Sequence, residues 1–570
     1  MKPDGKQTSK TLIQKSSPGA KSASEAIEKK GFLHLAPDIR ASMQKALENI
    51  SSLGDTDVFP RSFETFLLVD SKDDVLDLLA NIHLNFQDML IELPPVNDRV
   101  LAMVGYNGFR SVTQIDPIWN LYLLSLVIWL GGDIEQARVK SENGVVHSYR
   151  FISKENDSHI FDSAYGWFSF YEKCQKLADS HRFVLITDIS DFYPRIYHHR
   201  LENALKKVTK NTSVVKRIIT IISHFSGNVS YGLPVGGPAA RLLSEIVLNA
   251  TDRMMLAERA VYCRFVDDFR IFADSREQAH ALLVTLAQKI GESEGLSLQK
   301  SKTRIMSSEE YLAMTSSRGD DEHDGAETAN YKKFMSLKLH FDPYSESAKE
   351  DYESLREALA RFDVVGMLSR ELRKTQVEES VTRKLVRSIR HLKVPQKNSC
   401  IQSLAENLET LAPVFPVVMQ AFTMVSDELD LSSKEKMVES VKALFHLNSH
   451  IVQVPVNQLF AMRALSATLD EEVEQILNKI YRDTSSISVR RDVIALMANR
   501  DHAWFISDRR RNYQNLSSWE KRAVLVASYI LEDEGEHWRK RLVLNEYEKI
   551  LVKWASLNKS KNKGTVVLPL

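Results

Sequence analysis

At 570 residues the chain has room for roughly two or three domains. Its 75 basic and 75 acidic side chains cancel, so net charge points to no nucleic-acid partner and any such argument must rest on local charge. Cys174, Cys263 and Cys400 are the only cysteines and lie far apart, which excludes a disulfide scaffold or a structural zinc site and fits a reducing cytosol.

Met1 to Ala23 is Lys/Ser-rich without an apolar core, and reads as a disordered tail rather than a targeting signal. Helical periodicity starts near Ser24 and runs, with breaks, to about Leu130. Its apolar stretch Leu121 to Leu130 is too short to span a bilayer and is read as a core helix. Gly131-Gly132 turns the chain toward an expected hairpin at Glu142-Asn143-Gly144, because Asn-Gly favours the positive φ of a tight turn. Val145-Val-His-Ser-Tyr-Arg-Phe151 then alternates like a strand. From Phe183 to Met306 short strands and helices interleave, an α+β pattern, and the polar, acidic stretch Ser307 to Tyr331 is expected to be a loop.

From about Lys349 onward helix follows helix, with capping boxes expected at Ser432/Glu435, Thr468/Glu471 and Ser517/Glu520. No strict repeat survives, so the expectation is a degenerate HEAT-like array, with a plain helical bundle as the alternative. Arg383, Arg387 and Arg390 share a helical face there. A solvated face is the favoured reading of that stripe, and a phosphate track the other.

Two segments carry the chemistry: Phe183-Val-Leu-Ile-Thr-Asp188-Ile-Ser-Asp191-Phe-Tyr193 and Tyr262-Cys-Arg-Phe265-Val-Asp267-Asp268-Phe-Arg-Ile-Phe272. Each puts carboxylate at the end of an apolar, strand-like run, and buried carboxylates are costly unless paired or bound to a cation. Phosphodiester synthesis needs two divalent ions about 4 Å apart, and a polymerase palm supplies them from one Asp on a strand and another on a neighbouring hairpin. Asp188 and Asp267-Asp268 fit that plan. Between them, Tyr231-Gly-Leu-Pro-Val-Gly236-Gly-Pro-Ala-Ala-Arg-Leu-Leu-Ser-Glu245 is a Gly/Pro loop entering an apolar helix, where Gly236 would permit close approach of a base or nucleotide. Lys302, in Lys300-Ser-Lys302-Thr303, is a candidate for triphosphate neutralisation or leaving-group protonation.

In this order the segments resemble motifs A, B, C and D of reverse transcriptases. Within that family, Asp188-Ile-Ser-Asp-Phe-Tyr-Pro-Arg-Ile196, Val145 to Phe151, Phe265-Val-Asp-Asp-Phe269 and Phe109-Arg-Ser-Val-Thr-Gln-Ile-Asp-Pro117 resemble the bacterial abortive-infection, defence-associated branch (the AbiK-like group). The resemblance spans roughly residues 59–306 in motif order. It implies that Asp188, Asp267 and Asp268 are catalytic and bind Mg²⁺, for which Mn²⁺ is expected to substitute. It places Tyr193 as an aromatic gate against the ribose 2′-hydroxyl. Arg110 and Arg150 are candidates to hold the triphosphate from the fingers, since the guanidinium fork suits phosphate, with a structural salt bridge the alternative for each. Val235 stands where retroviral-type enzymes carry Gln, and Phe265 where the Tyr-x-Asp-Asp box begins.

The implied architecture is a disordered tail (1–23), N-terminal helices and fingers (24–182), a palm (183–330) and an all-α HEAT-like domain (331–570) standing in place of a thumb. The implied function is anti-phage DNA synthesis from dNTPs, untemplated and primed by a tyrosine of the protein. The DNA product would then be covalently attached, and the protein a cytoplasmic homo-oligomer, trimer or hexamer, without a membrane. The alternatives are a reverse transcriptase templated by a bound non-coding RNA, and a helical scaffold with a vestigial polymerase.

Overall fold

The computed structural model describes residues 32–154, 157–316, 333–335, 337, 339, 348–466, 468, 470–562 and 564–570. The tail 1–23 and the acidic stretch 317–332 lie outside them. Helix α1 (Pro37–Leu53) packs on α2 (Pro117–Trp129), whose residues from Pro117 to Ile128 are all buried. The apolar run from Leu121 is therefore core. Among the described residues no single helix is long and apolar enough to cross a membrane.

Helical periodicity does not persist through residues 97–115. Strands β1 (Asn97–Val104) and β2 (Gly108–Ile115) form an antiparallel hairpin with Val104 opposite Gly108. The turn uses Gly105 at φ +64, a conformation that costs glycine no Cβ clash. The expected hairpin at Asn143-Gly144 is instead a 3-10 turn ending at Gly144, φ +60. Val145 to Phe151 is not a strand either: Val146 bridges Arg264 and Phe151 bridges Phe161, with nothing continuous between. Tyr149, at φ +45, interrupts the extended path.

The four-stranded sheet is antiparallel throughout. It contains β3 (Phe183–Asp188), β4 (Val261–Phe265), β5 (Asp268–Ala273) and β6 (Arg304–Ser307) in the order β4-β5-β3-β6. Period-2 alternation buries both faces. Val184, Cys263, Phe272 and Met306 pack with Phe170 and Cys174 of α3 (Trp167–Ala178). Leu185, Phe269 and Ile271 belong to the main core, beside α4 (Pro238–Ala257) and α5 (Arg276–Lys289). Beyond β6, Ser308–Ser316 is helical rather than loop.

In the C-terminal part alternate helices stack in two rows. One holds α6 (Val364–Leu372), α8 (Val394–Glu406), α10 (Leu431–His446) and α12 (Glu471–Asp483). The other holds α7 (Glu379–Ser388), α9 (Phe415–Val425), α11 (Pro455–Leu465), α13 (Ile487–Asn499), α14 (Ser518–Ala527) and α15 (Glu546–Lys561). The Ser517/Glu520 box forms. At the other two expected sites a neighbouring aspartate takes the cap: Asp430 accepts from Ser433 N at 2.7 Å and Asp470 from Val473 N at 2.8 Å. A carboxylate at a helix start also gains from the helix dipole, which explains its precedence. Asn545/Glu548 is a further capping box.

The second row carries the contact with the N-terminal half, β1 against α11 among others. Arg522 makes buried ion pairs there, with Glu64 at 3.1 Å and Asp116 at 2.6 Å. Asp98 of β1 accepts from Ser488 N at 3.0 Å and from the Ser486 and Ser488 hydroxyls, so a strand carboxylate caps α13.

Candidate active site

Strand β3 stops at Asp188 because the run of apolar neighbours ends there. The antiparallel register sets Asp188 opposite Asp268, a Cα separation of about 5 Å in a regular pair. Strands β4 and β5 are joined by Val266 and Asp267 alone, since Phe265 pairs with Asp268. Asp267 therefore sits at the hairpin tip, where its carbonyl accepts from Ile189 N at 3.2 Å. Asp188, Asp267 and Asp268, distant in sequence, meet at one end of the sheet.

Lys302 approaches from the short turn Lys300–Lys302, which the backbone bond from Gln299 N to Asp188 O (2.7 Å) holds beside β3. Its ammonium donates to Asp188 Oδ2 at 2.5 Å. Burial raises the Asp188 carboxyl above its ordinary range and Asp268 adds to the rise, while the Lys302 bond pulls it back. Asp267 is pushed up to about 7, first by burial and then by the charge of Asp188. Asp268 pairs with Arg270 at 3.3 Å. Crowded carboxylates with one ammonium among them hold an excess of negative charge that a divalent cation would relieve.

Tyr193 lies half-buried in the turn Phe192–Arg195, its hydroxyl 3.3 Å from the Ser244 hydroxyl that donates to it. Burial pushes that phenol well above its ordinary range, with Tyr149 adding to the shift. Burial raises the Tyr149 phenol above its ordinary range, and its ring lies 6.2 Å from that of Phe265 at the end of β4. For Arg150 the sequence left a triphosphate contact and a structural salt bridge open, and the structure forms the salt bridge. The left-handed residue at 149 breaks the alternation and sends the arginine inward. Arg150 is buried, bound to Glu135 at 2.9 Å and to the Val139 carbonyl at 2.8 Å.

Gly236 is also used differently from the expectation. At φ +115, it faces a loop of the N-terminal region, and a Cβ there would lie 2.6 Å from Thr56 Oγ1 and 3.3 Å from Asp57 Oδ1. Its glycine character admits that loop rather than a bound base. Arg110 is exposed on β2.

Beneath the hairpin tip lies a buried polar network with no signal in the sequence reading. Val266, β-branched at φ +56, is in a conformation that normally belongs to glycine. Its N–H donates to the Ser148 hydroxyl at 2.9 Å and its carbonyl accepts from Arg264 at 2.7 Å. Ser148 in turn donates to Glu245 at 2.5 Å, and Glu245 binds Arg138 at 2.8 Å and Arg264 at 3.0 Å. Arg264 also holds Asp252 at 2.6 Å. Burial opposes the Glu245 charge, but the two arginines and Ser148 more than offset it and lower its carboxyl below the ordinary range.

Hard carboxylate oxygens suit Mg²⁺, and the residues present fit a cation held by Asp188 and Asp267 with Asp268 adjacent. Among the described residues no three metal-ligating side chains are drawn together as a finished cation site, and Lys302 stands against Asp188 instead.

Residues 137–327 match the family model described as reverse transcriptase (RNA-dependent DNA polymerase). Solved structures with some likeness include telomerase from Candida albicans in complex with the TWJ fragment of telomeric RNA. It is 10% identical, at a TM-score of 0.29, covering 65% of this chain and 67% of that one. Apo telomerase from Candida tropicalis is 9% identical, at a TM-score of 0.28, covering 75% and 73%. Likeness that loose carries no argument about this chain. No curated protein matches it. The chain carries a reverse transcriptase domain, and with it the nucleotidyl-transfer chemistry of an RNA-directed DNA polymerase.

Proposed function

We propose that this protein is a divalent-metal-dependent polymerase of bacterial anti-phage defence, which makes DNA without a template and primes it on one of its own tyrosines. The observation that carries the polymerase reading is the register that sets Asp188 opposite Asp268 with Asp267 at the adjoining tip. Bound Mg²⁺, or Mn²⁺ in its place, would activate the attacking hydroxyl and neutralise the triphosphate. Asp188 and Asp267 would hold it. Lys302 would leave Asp188 for the departing pyrophosphate, and Tyr193 would stand against the sugar to favour deoxynucleotides.

The untemplated and defence parts rest on the motif resemblance to the AbiK-like group. They are supported by the loop at 56–58, which fills the face of Gly236 where a template base would need room. On the same reading residues 24–182 hold the N-terminal helices and fingers, 183–330 the palm and 331–570 a HEAT-like array in the thumb's place. The protein would work as a cytoplasmic trimer or hexamer. The two stacked rows of helices are consistent with such an array.

The test is to incubate purified protein with each labelled dNTP and Mg²⁺ without nucleic acid. Label retained by the denatured polypeptide supports self-priming, and no incorporation until RNA is added overturns it. The second reading, synthesis templated by a bound non-coding RNA, is favoured by the RNA-dependent description of the matched family. It would yield a product of defined sequence.

A further inference from the structure

Successive side chains of a strand point to opposite faces of a sheet, and residues directly opposite in an antiparallel pair share a face. Val184, Cys263, Phe272 and Met306 lie on the face that α3 covers. By that alternation Asp188 shares the face of Val184, Asp268 that of Phe272, and Phe265 that of Cys263. The register agrees, since Asp268 pairs with both Asp188 and Phe265. Two of the clustered carboxylates and the Phe265 ring therefore project to the same side of the sheet.

Helix α3 buries Phe170 and Cys174 against the inner part of that face and brings Trp167, its first residue, toward the carboxylate end. The Trp167 ring meets the Phe265 ring edge-on at 5.4 Å and lies 5.3 Å from that of Phe170. Arg270 joins the same turn of helix to the site, with its guanidinium 5.7 Å from the centre of the Phe170 ring and 3.3 Å from the Asp268 carboxylate. The helix start is pinned. Gly166 N donates to the Ser169 hydroxyl at 3.0 Å, that hydroxyl bonds the His147 ring at 3.2 Å, and His147 N donates to the Arg264 carbonyl at 2.9 Å. Trp167 is nevertheless 48% exposed, and its indole N–H has no partner among the described residues. A core indole is covered and bonded, as Trp119 is by the Leu93 carbonyl at 2.8 Å. A fixed, half-covered indole beside clustered carboxylates offers a face on which a base of any sequence can stack. The sheet order decides which nucleotide that is. Phe265 is on β4 at one edge, whereas Lys302 reaches Asp188 of β3 from the turn that leads into β6 at the other. Phosphoryl transfer sets the attacking and leaving oxygens roughly in line. With Lys302 on the leaving side, Trp167 stands on the side of the attacking strand.

We propose that Trp167, seated on Phe265, is a stacking platform for a base at the growing end of the DNA strand that supplies the attacking hydroxyl. The platform rests on the nucleotidyl-transfer reading with Lys302 at the leaving group, and holds for templated and untemplated synthesis alike.

The test is equilibrium binding of three probes to the full chain with Mg²⁺ present: a (dT)12 oligonucleotide, the same oligonucleotide made abasic at its 3′ end, and an α,β-imido dNTP. The wild type should favour the base-bearing oligonucleotide over the abasic one by about tenfold, the scale of stacking one base on an aromatic ring. Trp167→Ala should bind (dT)12 about tenfold more weakly than the wild type, with no comparable loss of the dNTP analogue. Trp167→Leu, which keeps an apolar contact on Phe265 but offers no ring, should behave like it, and Trp167→Phe should retain most of the affinity. Neither ringless variant should distinguish the two oligonucleotides. Equal binding of the two oligonucleotides by the wild type overturns the platform whatever the variants do, as does discrimination that survives without the ring. A loss confined to the dNTP analogue overturns the assignment to the strand. A wild type that binds the dNTP analogue but not (dT)12 overturns the platform and leaves the polymerase reading standing; one that binds neither overturns both.

Discussion

Asp267 retains its proton to about pH 7 because burial and the neighbouring Asp188 both penalise its charge. The sign of the consequence follows from linkage. The unfolded chain gives up this proton near an ordinary aspartate pKa of about 4, while the folded metal-free protein keeps it. Stability of the metal-free protein should therefore fall as pH rises from about 4 to 7 and level off above, as denaturant titrations at several pH values would reveal. A metal needs the carboxylate ionised. The Mg²⁺ concentration for half-maximal incorporation is expected to drop between pH 6 and 8. Asp267→Asn should lose incorporation by at least about a hundredfold, the scale of a catalytic electrostatic group, while its far-UV spectrum stays native. Lys302→Met should lower the rate about ten- to a hundredfold if the ammonium assists the leaving group. An unchanged single-turnover rate would leave Lys302 only as the partner of Asp188 in the metal-free protein.

At the scale of elements, the tip of the β4–β5 hairpin depends on Arg264 of β4 and on residues outside both strands. Val266 is kept at φ +56 by bonds from Ser148 and Arg264, and both of these converge on Glu245 of α4. Glu245 is 1% exposed, so its removal leaves Arg138 and Arg264 buried without their shared carboxylate. Glu245→Ala is expected to destabilise the protein by about 3–5 kcal/mol, measured by denaturant unfolding. The hairpin tip should loosen with it, which faster amide exchange at Val266 and Asp267 would register. Equal exchange in the two proteins would mean that the turn holds its own shape. The strain at Val266 is thus maintained by packing from Ser148 and α4.

Across the whole molecule, the helical array is joined to the N-terminal half by buried charge rather than by a flexible joint. Arg522 sits between Glu64 and Asp116, and Asp98 caps α13. A fragment ending at residue 330 would expose Glu64 and Asp116 without their arginine, together with the apolar face of β1. Such a fragment should be insoluble or lack a cooperative thermal transition. A soluble, cooperatively folding fragment would show that the palm and fingers are an independent unit. Asp98→Ala should cost about 1–3 kcal/mol, the penalty of leaving buried donors unsatisfied, and should make the array more open to limited proteolysis.

Local sequence alone marks where the clustered carboxylates fall. A short apolar run with period-2 burial stops at a charged residue, and both the run and the charge are local properties. The segments around Asp188 and Asp267 were legible for that reason, as were the buried helix from Leu121 and the cap at Ser517. Only the tertiary structure decided the rest, because each missed feature depends on a partner far away in the chain. Strand β1 buries its face against α11, so residues 97–104 are extended where local periodicity indicated helix. Tyr149 takes a left-handed backbone and the alternation reverses there, which puts the tyrosine against Phe265 and Arg150 on Glu135. Gly236 admits the loop at 56–58, an approach that nothing near residue 236 in the sequence could specify.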